Sequence, residues 1–337
     1  MGETWNDQQG RYLVTLPPER GDLPEKLVLH VKRHIDEAQS ALSSRIFAHI
    51  RNTSSGTDYL RLPRIVPLAN DTLVGERDGY KFNFTTYHNG EHIKGPATRG
   101  QIMIVARGLA LARNALSTLP DDVQEQVKKN TMPLHESFAQ GAAFLDNNIH
   151  GVADTIRKGL GAEQFTKLQS LVKAYQSALD NATCHHADAI SANMVIDAPA
   201  LVLLDHEDCA AGYYHPLYDE GLALYRVILD STKNPTLESD REMISLFLSV
   251  YNKYAQTKIS AQELAKAAVL ACTRNVLNVS RLAAEAVETK DFEKADWWIG
   301  GMIRRYGVFP LSAQIRIDSA LNERPAARPD VYSIGEP

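Results

Sequence analysis

Apolar positions change their period along this chain. Before residue 90 they fall in short β-branched and aromatic runs divided by turn signals. Residues 11–16 (RYLVTL) and 27–32 (LVLHVK) read as two strands joined across Pro17-Pro18 and Gly21, the punctuation of an antiparallel hairpin. Between residues 35 and 51, Ala38, Ala41, Leu42, Ile46 and Ile50 recur near helical spacing, and the run from Asn52 to Gly56 (NTSSG) ends the helix. Strands resume at 62–68 and 80–87, separated by Gly75 and Gly79. In the second of these, Tyr80, Phe82 and Phe84 occupy one face and Lys81, Asn83 and Thr85 the other, so one face is expected to pack and the other not.

After His88-Asn89-Gly90 the period becomes helical, over 101–119, 122–130, 134–148 and 162–181. Strand signal returns only at 194–196 and 201–204. Helical segments at 243–254, 261–288 and 292–306 follow, and 322–337 is a Pro-containing tail. The expected architecture is α+β in two lobes: a small sheet-rich lobe over residues 1–90 and a larger helical lobe over 91–330. Neither an internal repeat nor a low-complexity segment is present.

Composition narrows the classes. With 337 residues, 44% hydrophobic and 23% charged, the chain has ample apolar content for a folded core. Lys and Arg number 36 against 41 Asp and Glu, for a net charge of -5, so the basic excess of a general nucleic-acid binder is missing. The sequence has no uncharged apolar stretch of about 18 residues, and the polar run from Met1 to Gly10 lacks the apolar core of a signal peptide. A cytoplasmic chain that binds neither nucleic acid nor membrane is expected. Cys184, Cys209 and Cys272 form no CxxC pair and are expected to be reduced thiols.

The chemistry concentrates in residues 184–193 (CHHADAISAN), followed by Met194-Val195-Ile196 and then Leu203-Leu204-Asp205. Phosphoryl transfer needs a carboxylate near the attacking hydroxyl and oxygen ligands that hold Mg²⁺ against the nucleotide phosphates. H-x-D-x-x-x-x-N with a second Asp beyond a β-hairpin supplies that set. Asp188 would be the base, and Asn193 and Asp205, each bordering an apolar strand, the metal ligands. These segments resemble the aminoglycoside phosphotransferase and choline kinase-like family of small-molecule kinases, which have the protein-kinase fold. The likeness is carried by HADAISANMVI (186–196), LLDHED (203–208) and GYYHPLYDEGLAL (212–224). It implies a catalytic loop supported by His186, a Mg²⁺-binding Asp after its hairpin, and in Asp219 a brace for that loop. Tyr87-His88-Asn89-Gly90-Glu91 looks like the family's hinge, whereas 101–182 and 231–337 match only in helical character.

A kinase-like fold also places a cation on the strand before the first helix, to hold nucleotide phosphates, and a helix carboxylate to orient it. His30 and Lys32 stand on one face of LVLHVK. The family's register points to His30, but only Lys32 carries a permanent charge and it is the favoured choice. Glu37 resembles the helix Glu, with an N-terminal carboxylate stabilised by the helix macrodipole as the alternative. The backbone of Thr85, Thr86 and Tyr87 would hydrogen-bond adenine, with Val14, Val28 and Val195 above and below it. The chain departs from the family in having no G-x-G-x-x-G, so the phosphate-covering loop is either rudimentary or made from Glu3 to Gln9. Ala187 and Ala189 also stand where Gly and Leu commonly flank the catalytic Asp.

Other conspicuous residues have plainer readings. Adjacent Cys184, His185 and His186 do not converge on a zinc ion. His88 and His92 are expected to be solvated, Tyr213-Tyr214 and Trp297-Trp298 to fill core, and Asp121-Asp122 to cap a helix. Glu207 and Asp208 are solvated flanking charge, or contacts to a second Mg²⁺ or a substrate cation. The function expected is transfer of the γ-phosphoryl group of ATP, with Mg²⁺, to a hydroxyl of a small molecule. The alternative is a kinase-shaped binding or regulatory protein with little or no turnover. A protein-directed kinase fits less well, because no long activation segment or A-P-E triplet follows Asp205.

Overall fold

In the computed structural model, which describes residues 10–17, 24–54, 58–148, 151–205, 207–231 and 235–322, the opening hairpin forms as the alternation predicts. β1 (Gly10–Thr15) and β2 (Lys26–Lys32) pair antiparallel, with Arg11 opposite His30 and Leu13 opposite Val28. Pro18 and Gly21 of the turn, the Glu3 to Gln9 segment and the tail beyond Asn322 lie outside the described residues. α1 (Glu37–Thr53) starts at Asp36, whose carboxylate accepts from the Gln39 N–H at 2.9 Å. The chain then forms β3 (Leu60–Arg61), β4 (Ile65–Val66), β5 (Gly75–Arg77) and β6 (Tyr80–Thr86). The first sheet runs β1-β2-β6-β4, with β5 also on β6.

β6 buries the face opposite to the one its aromatics suggest. Asn83 and Thr85 are buried, whereas Phe82 and Phe84 are half-exposed and pack edge to face on each other at 6.1 Å. The lead-in to α1 covers the polar side: Lys81 Nζ donates to Ile35 O at 3.2 Å, and His30 Nε2 hydrogen-bonds Thr85 Oγ1 at 3.0 Å. Lys81 and Thr85 thus find polar partners, whereas the buried Asn83 amide has none among the described residues; the buried positions of α1 include Ser40 and Ser43.

β7 (Glu91–His92) leads into α2 (Arg99–Leu116) and α3 (Asp121–Asp146). The two helices expected at 122–130 and 134–148 are one, running through Pro133 because Val127, Thr131, Phe138 and Ala142 present a continuous buried stripe. α4 (Val152–Leu160), which sequence periodicity does not reveal, and α5 (Ala162–Ala178) precede β8 (Thr183–Cys184). β9 (Met194–Asp197) and β10 (Ala200–Leu203) then form a hairpin. The second sheet runs β3-β10-β9-β7, so Leu60 and Arg61, from the early part of the chain, pair with Leu201 and Val202.

β11 (Tyr213–Tyr214) pairs with β8, and α6 (Tyr218–Ala223) follows. Then come α7 (Leu237–Tyr254), α8 (Ala261–Glu288), α9 (Phe292–Gly301) and α10 (Val308–Asn322). α8 is the axis of the helical part, with Leu264, Ala268, Ala271, Cys272, Val276 and Leu277 buried along it. One apolar cluster extends from Leu42 and Ile46 of α1 through Met194 and Leu203 to Ile317 of α10, joining sheet and helices. Among the described residues no single helix is long and apolar enough to cross a membrane.

Candidate active site

The segment 185–193 is suspended between two short ladders, β8 with β11 behind it and β9 with β10 ahead. Its first turn is clamped by a buried carboxylate. Asp219, on the first turn of α6, accepts from the His186 N–H at 2.7 Å and the Ala187 N–H at 2.9 Å, with His185 Nδ1 at 3.5 Å. Burial alone would push the Asp219 carboxyl up, yet these donors and the two imidazoles hold it below the usual range. Ala187 takes a left-handed backbone, φ 75°, which a non-glycine residue adopts only under constraint. At Gly212 an added Cβ would sit 2.5 Å from His185 O, so only a glycine passes there. His186 donates from Nε2 to Leu204 O at 2.7 Å and stacks on Phe47 of α1 at 5.9 Å, tying the loop to the turn before Asp205 and to the first helix.

Asp188, Asn193 and Asp205 meet at the open end of this scaffold. Asn193 Nδ2 donates to the Asp188 carboxylate and, at 3.3 Å, to its backbone carbonyl. Leu204 N–H donates to Asn193 O at 2.8 Å, which draws Asp205 to the loop. Asp205 has φ 55°, a left-handed turn that directs the chain out of β10. Desolvation, then the negative charges of Asp208 and Asp205, push the Asp188 carboxyl up to about 6, against the pull of His186 and Arg274. Burial likewise raises Asp208, with Arg274 opposing it.

Two cations from the first sheet reach the same place. Arg11 pairs with Asp205, and Lys32 pairs with Glu207. Lys32 therefore stands at the cluster, whereas His30 is buried against Thr85. The carboxylate partner of Lys32 is Glu207 and not Glu37. Glu37 opens α1 facing solvent and has no ion pair among the described residues, because the helix turns Ser40 and Ser43 inward instead. The hinge needs a correction as well. Thr86 N–H donates to Arg64 O at 2.9 Å and Tyr87 N–H to Lys26 O at 3.3 Å, so neither is open to a base. Thr85 is buried beneath His30. Val14 lies opposite Leu27 and so on the other face from Val28. The residue sharing Val28's face is Leu13, which is 56% exposed. Val195 is buried against the Gly90 backbone.

Arg11, Leu13 and Arg274 are the functional-site neighbours that sequence spacing misses. The strand register would have found the first two, since Arg11 faces His30 and Leu13 faces Val28. Arg274 had no local signal: it lies mid-α8 and donates to Tyr218 and Tyr214 hydroxyls, each at 2.9 Å, beneath Asp208. Of the plainer readings, the three cysteines are buried thiols, none of them in a disulfide among the described residues. His92 is exposed, while His88 is half-buried and Trp297 is largely solvent-facing. Asp121 and Asp122 lie inside the first turn of α3, whose N-cap is Pro120, and Asp122 pairs with Arg45. Among the described residues no three His, Cys, Asp or Glu groups are arranged around a common metal position. The donor set at 188–205 is instead an amide and carboxylates. With Asn193 Nδ2 turned to Asp188, its Oδ1 is left for a cation, the hard-oxygen chemistry that suits Mg²⁺ completed by phosphates and water.

This architecture is the two-lobed, kinase-like fold of aminoglycoside phosphotransferases and related small-molecule kinases. An amicoumacin kinase in complex with AMP-PNP, Ca2+ and Ami superposes with a TM-score of 0.53 at 13% identity, over 87% of this chain and 84% of that one. An aminoglycoside 2'-phosphotransferase in its GDP complex gives 0.52 at 13% identity, over 93% and 92% of the two chains. A microcompartment-associated aminopropanol kinase gives 0.50 at 16% identity, over 92% of each. No family model and no curated protein sequence matches the chain.

Proposed function

We propose that this protein is an ATP-dependent phosphotransferase that moves the γ-phosphoryl group to a hydroxyl of a small molecule. The observation that carries the reading is the contact of Asn193 with Asp188, on a loop clamped by Asp219, with Asp205 brought alongside. Asp188 orients the acceptor hydroxyl and takes its proton as the new O–P bond forms and the bond to the ADP oxygen breaks. Asn193, through Oδ1, and Asp205 would hold Mg²⁺, which neutralises phosphate charge when bound. Lys32, joined by Arg11, holds the non-transferred phosphates. Val28 and Leu13 flank the base, and the N–H groups of His88 or Asn89 replace those of Thr86 and Tyr87 as its donors. Residues 1–90 would serve the nucleotide, and 91–330 the catalytic loop and acceptor.

A second reading has its own supporting observation. Arg11 on Asp205 and Lys32 on Glu207 occupy carboxylates that a metal ion and nucleotide would need, an arrangement suited to a kinase-shaped binding or regulatory protein. Mg-ATP binding and ATP consumption measured over a panel of amino alcohols, sugars and aminoglycosides separate the two. Turnover that falls by at least about a thousandfold in both Asp188→Ala and Asp205→Ala, with the fold retained, is expected of the enzyme; removal of an essential transition-state contact has that scale. Metal-dependent binding without turnover on any acceptor supports the second reading, and full rates in both variants overturn the site.

A further inference from the structure

On the side of β6 turned away from the Asp188 cluster lies a second concavity, about 380 Å³, between the end of α1, the β3–β4 segment and the hinge. Its wall carries Arg51, Arg61, Arg64 and His88, together with Thr86. By strand parity Thr86 faces away from Thr85, and the cavity has no lining residue in common with Asp188, Asn193, Asp205, Arg11 or Lys32. Only Arg61 has a carboxylate partner, Asp197; among the described residues Arg51 and Arg64 have none. Arg51 is oriented by a bond from Nη1 to Pro63 O at 3.0 Å, while Arg64 is exposed at the rim. The groups repel one another. Burial and the neighbouring Arg64 lower the Arg51 pKa, and burial with Arg61, Arg51 and Arg64 lowers that of His88 against the pull of Asp197.

A concave cluster of like charges is relieved by an anion, and guanidinium forks match the tetrahedral oxygens of phosphate in particular. Its modest volume and the convergence of the arginines on one concavity favour a small ligand over the long stripe that a polyanion follows. We propose that this cavity is a binding site for a small phosphoryl dianion, held by Arg51 and Arg64 with Arg61 and the His88 imidazole at its edge, distinct from the cluster of Asp188, Asn193, Asp205 and Lys32 although it shares the hinge. It does not depend on the chain being an active kinase.

The test uses the full chain, with inorganic phosphate and glycerol phosphate as probes, by thermal shift and calorimetric titration against chloride at equal ionic strength. A saturable rise in melting temperature is expected. Arg64→Gln, whose side chain is at the rim, and Arg51→Gln should each weaken binding by about tenfold or more, the effect of losing a charge-assisted contact. Arg99→Gln, on the exposed start of α2, should leave it unchanged. Tighter binding of glycerol phosphate than of inorganic phosphate points to a phosphate monoester as the natural ligand; equal binding points to the free ion. Phosphate effects equal to those of chloride overturn the proposal. So does binding that survives both arginine variants but is lost in Lys32→Met, which places the anion in the phosphotransfer cleft, and so does retention on heparin with no response to phosphate.

Discussion

Asp219 shows how a single buried side chain sets the geometry of the loop that follows it in space. It satisfies the His186 and Ala187 N–H groups, and holds Ala187 at positive φ, where an alanine would otherwise relax. Asp219→Ala should therefore cost about 2–4 kcal/mol of stability in urea unfolding, the price of two buried donors left without acceptors. A loss under about 1 kcal/mol would mean that other groups replace the clamp. At this scale the residues that the structure draws together were legible: Asp188, Asn193 and Asp205 stand out by spacing, and His186 and Asp219 by the family resemblance, as supports of the loop. Glu37 was misleading because a carboxylate in a first helical turn looks the same whether it meets a lysine or the solvent, and Arg274 because nothing near it in sequence relates α8 to the loop.

Elements show where alternation and periodicity are sufficient and where they are not. Strand positions β1, β2 and β6 were readable, yet which face is covered depends on what packs there. The α1 lead-in accepts from Lys81 and His30 bonds Thr85, so the polar side of β6 is the covered one and Phe82 and Phe84 stay half-exposed, reversing a hydrophobicity reading. The break expected between 130 and 134 does not occur, because the buried stripe of α3 outweighs the one backbone bond that Pro133 removes. The contact between α6 and α8 is set by a missing side chain: a Cβ on Gly221 would lie 2.4–2.5 Å from the backbone of Ala267 and Ala268. Gly221→Ala is expected to destabilise by about 1–3 kcal/mol, since neither helix can retreat without disturbing the core, and equilibrium unfolding reads this directly. Because α6 carries Asp219, the same variant should slow any phosphotransfer without touching Asp188; an unchanged rate in a destabilised protein would separate the packing from the loop.

For the molecule as a whole, the polar groups beneath the loop determine how stability responds to acid. His215 is fully buried, donates from Nδ1 to Pro216 O at 3.0 Å and packs edge-on against Tyr175 and Tyr218, with His185, Asp219 and Lys266 as charged or titratable neighbours. Burial pushes its pKa down to about 3 from 6.5. Because the folded state holds this imidazole neutral, the unfolded state takes up the proton first. Its contribution to stability is complete above pH 6.5 and is lost between there and about 3, at a slope approaching 1.4 kcal/mol per pH unit. His215→Phe should flatten that part of the stability profile; an identical slope in the variant would mean that other groups carry it.

Net charge, by contrast, says nothing about charge placement. A total of -5 coexists with a cavity walled by Arg51, Arg61 and Arg64 and with a cluster of Asp188, Asp205, Glu207 and Asp208. By itself the sequence determined the opening hairpin, the change from strands to helices after residue 90 and the spacing of the loop residues, because hydrophobic period and motif spacing are local properties. Only the tertiary structure decided the face that each strand buries, the partner that each cation finds and the carbonyls that take the Thr86 and Tyr87 N–H groups. Those outcomes depend on register and on surfaces brought together from distant segments, and free energies of contact across such separations leave no local mark in the chain.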